Sequence, residues 1–316
     1  FFRREPSEVS KNERMKFIGL KTKDGELKGD IAFYCRTLHV SRQGFYQYLA
    51  NKDRPWKYQP VAAIMLEILE EDACNDTYGR IRMYQALNLK RPEHVDIPSE
   101  RTVYRIMEKI GISHHPRRKP NGITKADREA RKSDDLLKRD FRAEKPLSKC
   151  VTDITEIKGS DGKLYVSAMF DCFDSSVIGL AMDTNMKAPL CVQTLENAAK
   201  AYPDLRGAIL HSDRGSQYTS QIYRDAIHKY GIQQSMNSAG GRCHDNARCE
   251  SMWARMKSEL LYHRYDTEKM TTFELKTVIW RYFISYWNNR RICTANGGLP
   301  PIVKRQQYYD SLKEAA

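Results

Sequence analysis

Between residues 149 and 183 the chain reads as three consecutive strands, and that stretch limits the fold more than any other. "CVTDITEIK" alternates polar and apolar side chains with the two-residue period of a pleated strand. Ser160-Asp161-Gly162 supplies a tight turn, "KLYVSAMFDCF" follows as a buried strand, and "SVIGLAMD" as a third. Strands joined by connections this short pair antiparallel. The pattern then changes to a helix over 188 to 201 and a short apolar strand, Gly207-Ala208-Ile209-Leu210. A helix over 219 to 230, capped by Thr219 or Ser220, and a strand over 232 to 236 complete it. An antiparallel meander followed by alternating helix and strand predicts an α/β fold, a mixed five-stranded sheet with helices on its faces.

Three acidic residues stand out within that frame. Asp153 sits in the middle of the first strand, where an unpaired carboxylate is costly. Asp213, in "HSDRGSQYTS", ends the fourth strand, the edge at which α/β folds usually keep their chemistry. Glu250 lies one turn into a long helix over 246 to 261, whose apolar face carries Cys249, Met252, Met256 and Leu260. Three carboxylates meeting at one sheet edge suit two divalent ions about 3.5–4 Å apart, which clamp the attacking and leaving oxygens of a phosphoryl displacement. Magnesium takes such oxygen ligands, and manganese can replace it. Lys257 follows Glu250 by seven residues, about 700° of helix, so the two share a face. Glu259 is about 180° away and points to the opposite side. Asp171, Asp174 and Asp183 read as turn and strand-end residues, and Asp245 as a helix cap.

The N-terminal half has a different character. Of the net charge of +13, residues 1 to 149 carry +10, with 32 Lys and Arg against 22 Asp and Glu. A basic half joined to a nearly balanced one suggests a polyanion grip beside a folded catalytic unit. In "LKGDIAFYCRTLHVSRQGFYQYLA", Ile31, Tyr34 and Cys35 give a helical apolar face, Leu38-His39-Val40 a tight connection, and Ser41 the cap of a second helix to about Leu49. That is a helix-turn-helix reading, with Arg42, Gln43 and Tyr46 available to a DNA groove. A helix over 60 to 72 and the segment "TYGRIRMYQAL" precede a second such unit, with Ser99 as cap, Val103, Ile106, Met107 and Ile110 as its stripe, and Gly111 as its stop. Arg101 and Arg105 are its exposed candidates. "SHHPRRKPNGITK" reads as a basic linker, in which Arg117, Arg118 and Lys119 are further candidate DNA contacts. The expected regions are 1–56 and 57–123 for DNA binding, 124–270 for catalysis, and 271–316 for an aromatic-rich helix with a Pro/Gly-rich tail.

No run of about 18 apolar residues is present, and the mean hydropathy is −0.68, so no transmembrane helix is expected. "FFRREPSEVS" lacks the apolar core of a signal peptide and an initiator Met, so the chain is expected to be a piece of a longer or fused product. Eight scattered Cys without a Cys-x-x-Cys pair suit free thiols in a reducing cytoplasm. The spacing of Cys243, His244 and Cys249 fits no common zinc site.

The ordered blocks "VTDITEI", "LYVSAMFDCF", "HSDRGSQYTS", "GGRCHDNARCESMWARMKSEL" and "YWNNRRICTANGGLPP" resemble the successive core blocks of a known family. They are similar to the DDE transposases of bacterial insertion sequences, specifically the second-frame product of insertion-sequence family three, relatives of retroviral integrases. "TYGRIRMYQAL" resembles the family's upstream DNA-binding segment. The resemblance implies a ribonuclease H-like core preceded by an all-helical DNA-binding region. It puts the catalytic acids on Asp153, Asp213 and Glu250 and the family's basic residue on Lys257. It further implies two Mg2+ ions, binding to terminal inverted repeats and target double-stranded DNA, 3′-end cleavage and strand transfer, a homo-oligomer of at least two subunits bridging both ends, and a bacterial cytoplasmic, nucleoid-associated setting. Three departures mark this chain. Thirty-six residues separate Asp213 from Glu250, one more than usual; Cys150 replaces a tryptophan; and the tail pattern keeps Asn288 and Arg291 but has Cys293 for a histidine. A ribonuclease H-like nuclease and a non-catalytic DNA-binding regulator are the alternative readings.

Overall fold

The computed structural model describes residues 9–112, 133–138, 140–237, 246–262 and 264–315. The chain divides into two compact units, Phe1–Pro60 and Val61–Ala316. Arg117, Arg118 and Lys119, and likewise Cys243, His244 and Asp245, lie outside the described residues.

The first unit contains α1 (Lys11–Lys21), α2 (Lys28–Thr37) and α3 (Arg42–Lys52). The expected pair is present, with Ser41 as the cap of α3 accepting from the Gly44 amide, and His39 takes a left-handed conformation in the turn. The sequence reading had no helix at α1. It begins with a capping box between Ser10 and Glu13 and supplies Met15 and Ile18 to a core shared with Ile31, Cys35, Leu38, Val40 and Phe45. A pair of helices this short has too little apolar surface of its own, and α1 closes the core.

The second unit begins with α4 (Gln59–Glu71), α5 (Arg80–Lys90) and α6 (Glu100–Lys109). Its sheet consists of β1 (Lys149–Gly159), β2 (Gly162–Asp171), β3 (Val177–Asp183), β4 (Ile209–Ser212) and β5 (Gln233–Met236), in the order β3-β2-β1-β4-β5. The first three strands pair antiparallel, while β4 is parallel to β1 and β5 to β4, the mixed ribonuclease H-like arrangement. Helices α7 (Ala188–Ala201), the single turn α8 (Ser216–Thr219) and α9 (Gln221–Lys229) follow, the last capped by Ser220. Then come α10 (Ala247–Met256), α11 (Thr272–Trp280) and α12 (Pro301–Glu314).

The two faces of the sheet build two cores. Val151 and Ile157 of β1 and Leu164, Val166, Ala168 and Phe170 of β2 meet α10, α11 and the residues that follow them. Cys150, Ile154 and Met169, of opposite parity, meet α7 and α9. Helix α7 lies so close to β3 that a Cβ on Gly179 would stand 2.5 Å from the Thr194 carbonyl oxygen.

The expected helix over 246 to 261 is α-helical only to Met256; Lys257–Leu261 widens into π turns. The helix from Thr272 likewise continues as π turns over Arg281–Trp287. The expected Pro/Gly-rich tail contains α12, which periodicity does not reveal because it buries little apolar surface. A buried charge cluster fastens it instead. Arg305 donates through Nε to Asp174 at 2.7 Å and through Nη2 to Asp171 at 2.6 Å and Ser176 at 2.7 Å. Asp171 and Asp174, expected as plain turn residues, are therefore fully buried structural anchors. Burial, helped by Asp174, pushes the Asp171 carboxyl up to about 6 despite Arg305.

Candidate active site

Parallel pairing of β1 with β4 ends at Val151 and His211. Asp153 and Asp213 each lie two residues beyond that pair, Asp213 just past the end of β4, and near enough for the charge of Asp213 to raise the Asp153 carboxyl. Odd-numbered positions of β1 face the core covered by α10, as Val151 and Ile157 do, so Asp153 points toward the helix that carries Glu250. Asn246, just before α10, donates to the Thr152 carbonyl at 3.4 Å, and Arg248 donates to Ser175 Oγ at 2.8 Å and the Cys172 carbonyl at 3.1 Å. These bonds fix the first turn of α10, and with it Glu250, against the strands.

The carboxylates differ in surroundings. Asp153 is half-buried; its Oδ2 accepts the Trp253 indole N–H at 3.2 Å. Burial pushes its carboxyl up to about 8, the negative charge of Asp213 adds to the rise, and Glu250 contributes a smaller push in the same direction. Asp213 is also half-buried and accepts the Gly215 amide at 2.9 Å, so its carboxylate closes the turn after β4. That turn is further tied by Arg214, which donates to the Asn237 carbonyl beyond β5. His211 is buried, with Nδ1 2.9 Å from Ser235 Oγ and Nε2 2.9 Å from Asn237 Oδ1. Glu250 is exposed. Among the described residues no three His, Cys, Asp or Glu side chains already form a cage for an ion. The donor set is nonetheless all carboxylate oxygen, and burial together with neighbouring negative charge raises the Asp153 carboxyl. Both features fit a hard divalent cation.

Lys257 is half-buried at the junction of α10 and the π turns, where burial draws its amine below the usual lysine range while Glu156 and Asp153 hold it up. Glu259 lies in the π turns, where the α-helical angle no longer applies, and its partners are not the acids. It is not a surface residue: it is 2% exposed and gripped by Arg291 through Nε at 2.7 Å and Nη2 at 2.6 Å, by Arg82 at 2.9 Å and by the Tyr282 hydroxyl at 2.9 Å. Arg82, from the segment expected to touch DNA, is turned inward for this purpose. Asn288 of the tail pattern pairs with both backbone polar groups of Val177 on the edge strand β3, and Arg291 serves Glu259. The tail residues thus have structural partners, and Cys293 is simply buried.

Arg42, Gln43 and Tyr46 are exposed on α3, and Arg101 and Arg105 on α6. Trp253 was missed by the sequence reading. Its signal was its place in the apolar stripe of α10, four residues after Cys249, with a donor nitrogen no other member of that stripe has.

The family model of the integrase core domain matches residues 143–241. A protein of Escherichia coli K12 named "Putative transposase InsK for insertion sequence element IS150" is 31% identical over 274 residues, covering 87% of this chain and 93% of that one. A Shigella flexneri protein named "Probable transposase for insertion sequence element IS1353" is 34% identical over 272 residues, 85% of this chain and 50% of that one. The solved HTLV-2 integrase catalytic core domain in complex with magnesium aligns at 16% identity and a TM-score of 0.37, covering 52% of this chain and 99% of that one. By its integrase core and its full-length relatives, the chain belongs to the DDE transposases of bacterial insertion sequences.

Proposed function

We propose that Asp153, Asp213 and Glu250 are the catalytic acids, and that with Mg2+, or Mn2+ in its place, the protein cleaves the 3′ ends of its element and joins them to target DNA. The observation that carries this reading is the convergence of three carboxylates from separate elements, Asp153 on β1, Asp213 in the turn after β4 and Glu250 on α10, near enough that the charges of Asp213 and Glu250 add to the rise that burial gives the Asp153 carboxyl. A divalent cation held among them would answer that negative charge.

Asp153 and Asp213 would hold the ions from the sheet, and Glu250 would close over them from α10. When bound, two such ions stabilise charge on the attacking and leaving oxygens of an in-line phosphoryl displacement. In cleavage, water attacks the phosphorus at the element's end and the 3′ oxygen leaves as a hydroxyl. In transfer, that hydroxyl attacks a target phosphodiester, forming a new P–O bond as the target's own 3′ oxygen departs. Lys257, beside Asp153, would hold a backbone phosphate near the acids. Arg42, Gln43 and Tyr46 of α3 and Arg101 and Arg105 of α6 supply exposed groups for reading the inverted repeat, in a region 1–123 that binds DNA ahead of a catalytic region 124–270. Two ends must meet at one target, so a homo-oligomer of at least two subunits is the working form, acting at the nucleoid.

The test is cleavage of a labelled element end in Mg2+ by Asp153→Asn, Asp213→Asn and Glu250→Gln. Each keeps the size and removes the charge, so end binding should persist while cutting and joining disappear. Wild-type cutting by any one of them would remove that residue from the site.

A further inference from the structure

We infer that Trp253 is a positioning residue for the reaction: its indole N–H holds the Asp153 carboxylate in the orientation that accepts a divalent cation. This rests on the acid assignment above and extends it. The indole Nε1 lies 3.2 Å from Asp153 Oδ2. Trp253 is 5% exposed, and its ring stands edge-on to Phe170 of β2 at 5.5 Å and to Phe283 of the π segment after α11 at 5.8 Å. Two rings from different elements therefore fix the plane of the indole and the direction in which its N–H points.

The chemistry of this donor suits its place. An indole donates one hydrogen bond, accepts none, carries no charge and cannot ligate a metal. A lysine or arginine in the same position would satisfy the carboxylate but would also compete with the cation by repulsion. The indole takes up only part of Oδ2, and the carboxyl's other donor in the structure, the Ile154 amide, is also neutral. It also joins two of the three acids mechanically. Trp253 is three residues past Glu250 on α10, so its bond to β1 fixes the helix that carries Glu250 against the strand that carries Asp153. Groups that orient a metal ligand in this way commonly change metal affinity 10–100-fold when removed.

The experiment uses the full chain and Mn2+ alone, with free Mn2+ followed by electron paramagnetic resonance. Trp253→Phe retains the aromatic packing and loses only the donor; it should bind Mn2+ at least about tenfold more weakly. End cleavage by this variant should recover toward the wild-type rate as Mn2+ is raised, a change in the metal requirement rather than in the limiting rate. Asp153→Asn should lose Mn2+ binding. Wild-type affinity in Trp253→Phe beside lost binding in Asp153→Asn would overturn the inference and leave the acid assignment standing. Unchanged binding in Asp153→Asn would overturn the assignment itself. Phe283→Leu loosens the same ring cluster but keeps the N–H. With Phe170 still against the indole and the N–H kept, it should cost less Mn2+ affinity than Trp253→Phe; an equal or larger loss would make packing rather than the donor the cause and overturn the inference. The wild-type protein gives a reading that needs no variant to fold. Of its four indole N–H resonances, one should be broadened selectively by stoichiometric Mn2+, and broadening of none would overturn the inference.

Discussion

Replacing Glu259 by Gln should cost the second unit about 3–5 kcal/mol, although the residue is not one of the candidate acids. The change keeps the shape and removes one charge. Arg291, whose side chain is 4% exposed, then keeps a buried positive charge with no carboxylate to meet it, and breaking a buried pair from one side typically costs that much. The ionisation of Glu259 points the same way. Burial alone would raise its carboxyl, but Arg291 and Arg82 outweigh burial and hold it at about 2, against an ordinary 4.5. Because the folded-state value is depressed, this stability is fully present above pH 4.5 and is lost as pH falls toward 2. Urea unfolding at pH 7, followed through tryptophan fluorescence, should show the Gln variant's midpoint lowered with an unchanged slope, and the wild-type protein should lose the same increment on acidification while the variant does not. Exchanging Arg291 for Met in the Gln background should recover part of the loss, since the fully buried orphaned charge is gone and only Arg82, whose side chain is 16% exposed, still lacks its carboxylate. A loss below about 1 kcal/mol in Glu259→Gln would refute the claim that this cluster supports the fold.

Lys257→Ala should weaken binding of the element's end, with a shallower salt dependence by about one phosphate contact, and leave Mn2+ affinity within a few-fold of wild type. An unchanged salt slope in a gel-shift series would remove Lys257 from the DNA path. Gly179→Ala should destabilise the second unit by about 1–3 kcal/mol, because the added methyl meets the Thr194 carbonyl and α7 must move off the sheet. A thermal melt equal to wild type would mean the helix yields freely.

The meander β1–β2–β3 was legible because its signals are local: a two-residue period and a two-residue turn sit in one short stretch of chain. Asp153 was legible for the same reason, a charge breaking an apolar alternation. The charge clusters were not. Arg82 and Glu259 are 177 residues apart, Arg291 and Glu259 are 32 apart, and Arg305 and Asp171 are 134 apart, so no window of sequence contains both partners. Helix α12 went unseen because an arginine rather than an apolar stripe holds it down. The widening of α10 into π turns was equally invisible, since the same residues satisfy either helical period over five positions.

What separates the carboxylates of this fold is the sign of the charges around them, which spacing does not encode. Asp171, Asp174 and Glu259 are more deeply buried than Asp153, and each lies against an arginine: Arg305 for the first two, Arg291 and Arg82 for the third. Their negative charge is answered inside the protein, and nothing further is needed there. The strongest charged influences on Asp153 come instead from Asp213 and Glu250, and its donors in the structure, the Ile154 amide and the Trp253 indole, are neutral. Arg214 and Arg248 stand nearby, but their hydrogen bonds go to the Asn237 and Cys172 carbonyls and to Ser175 Oγ and not to Asp153. A guanidinium there would stabilise the apo fold in the way it does around Glu259, and would exclude a divalent ion by the same charge.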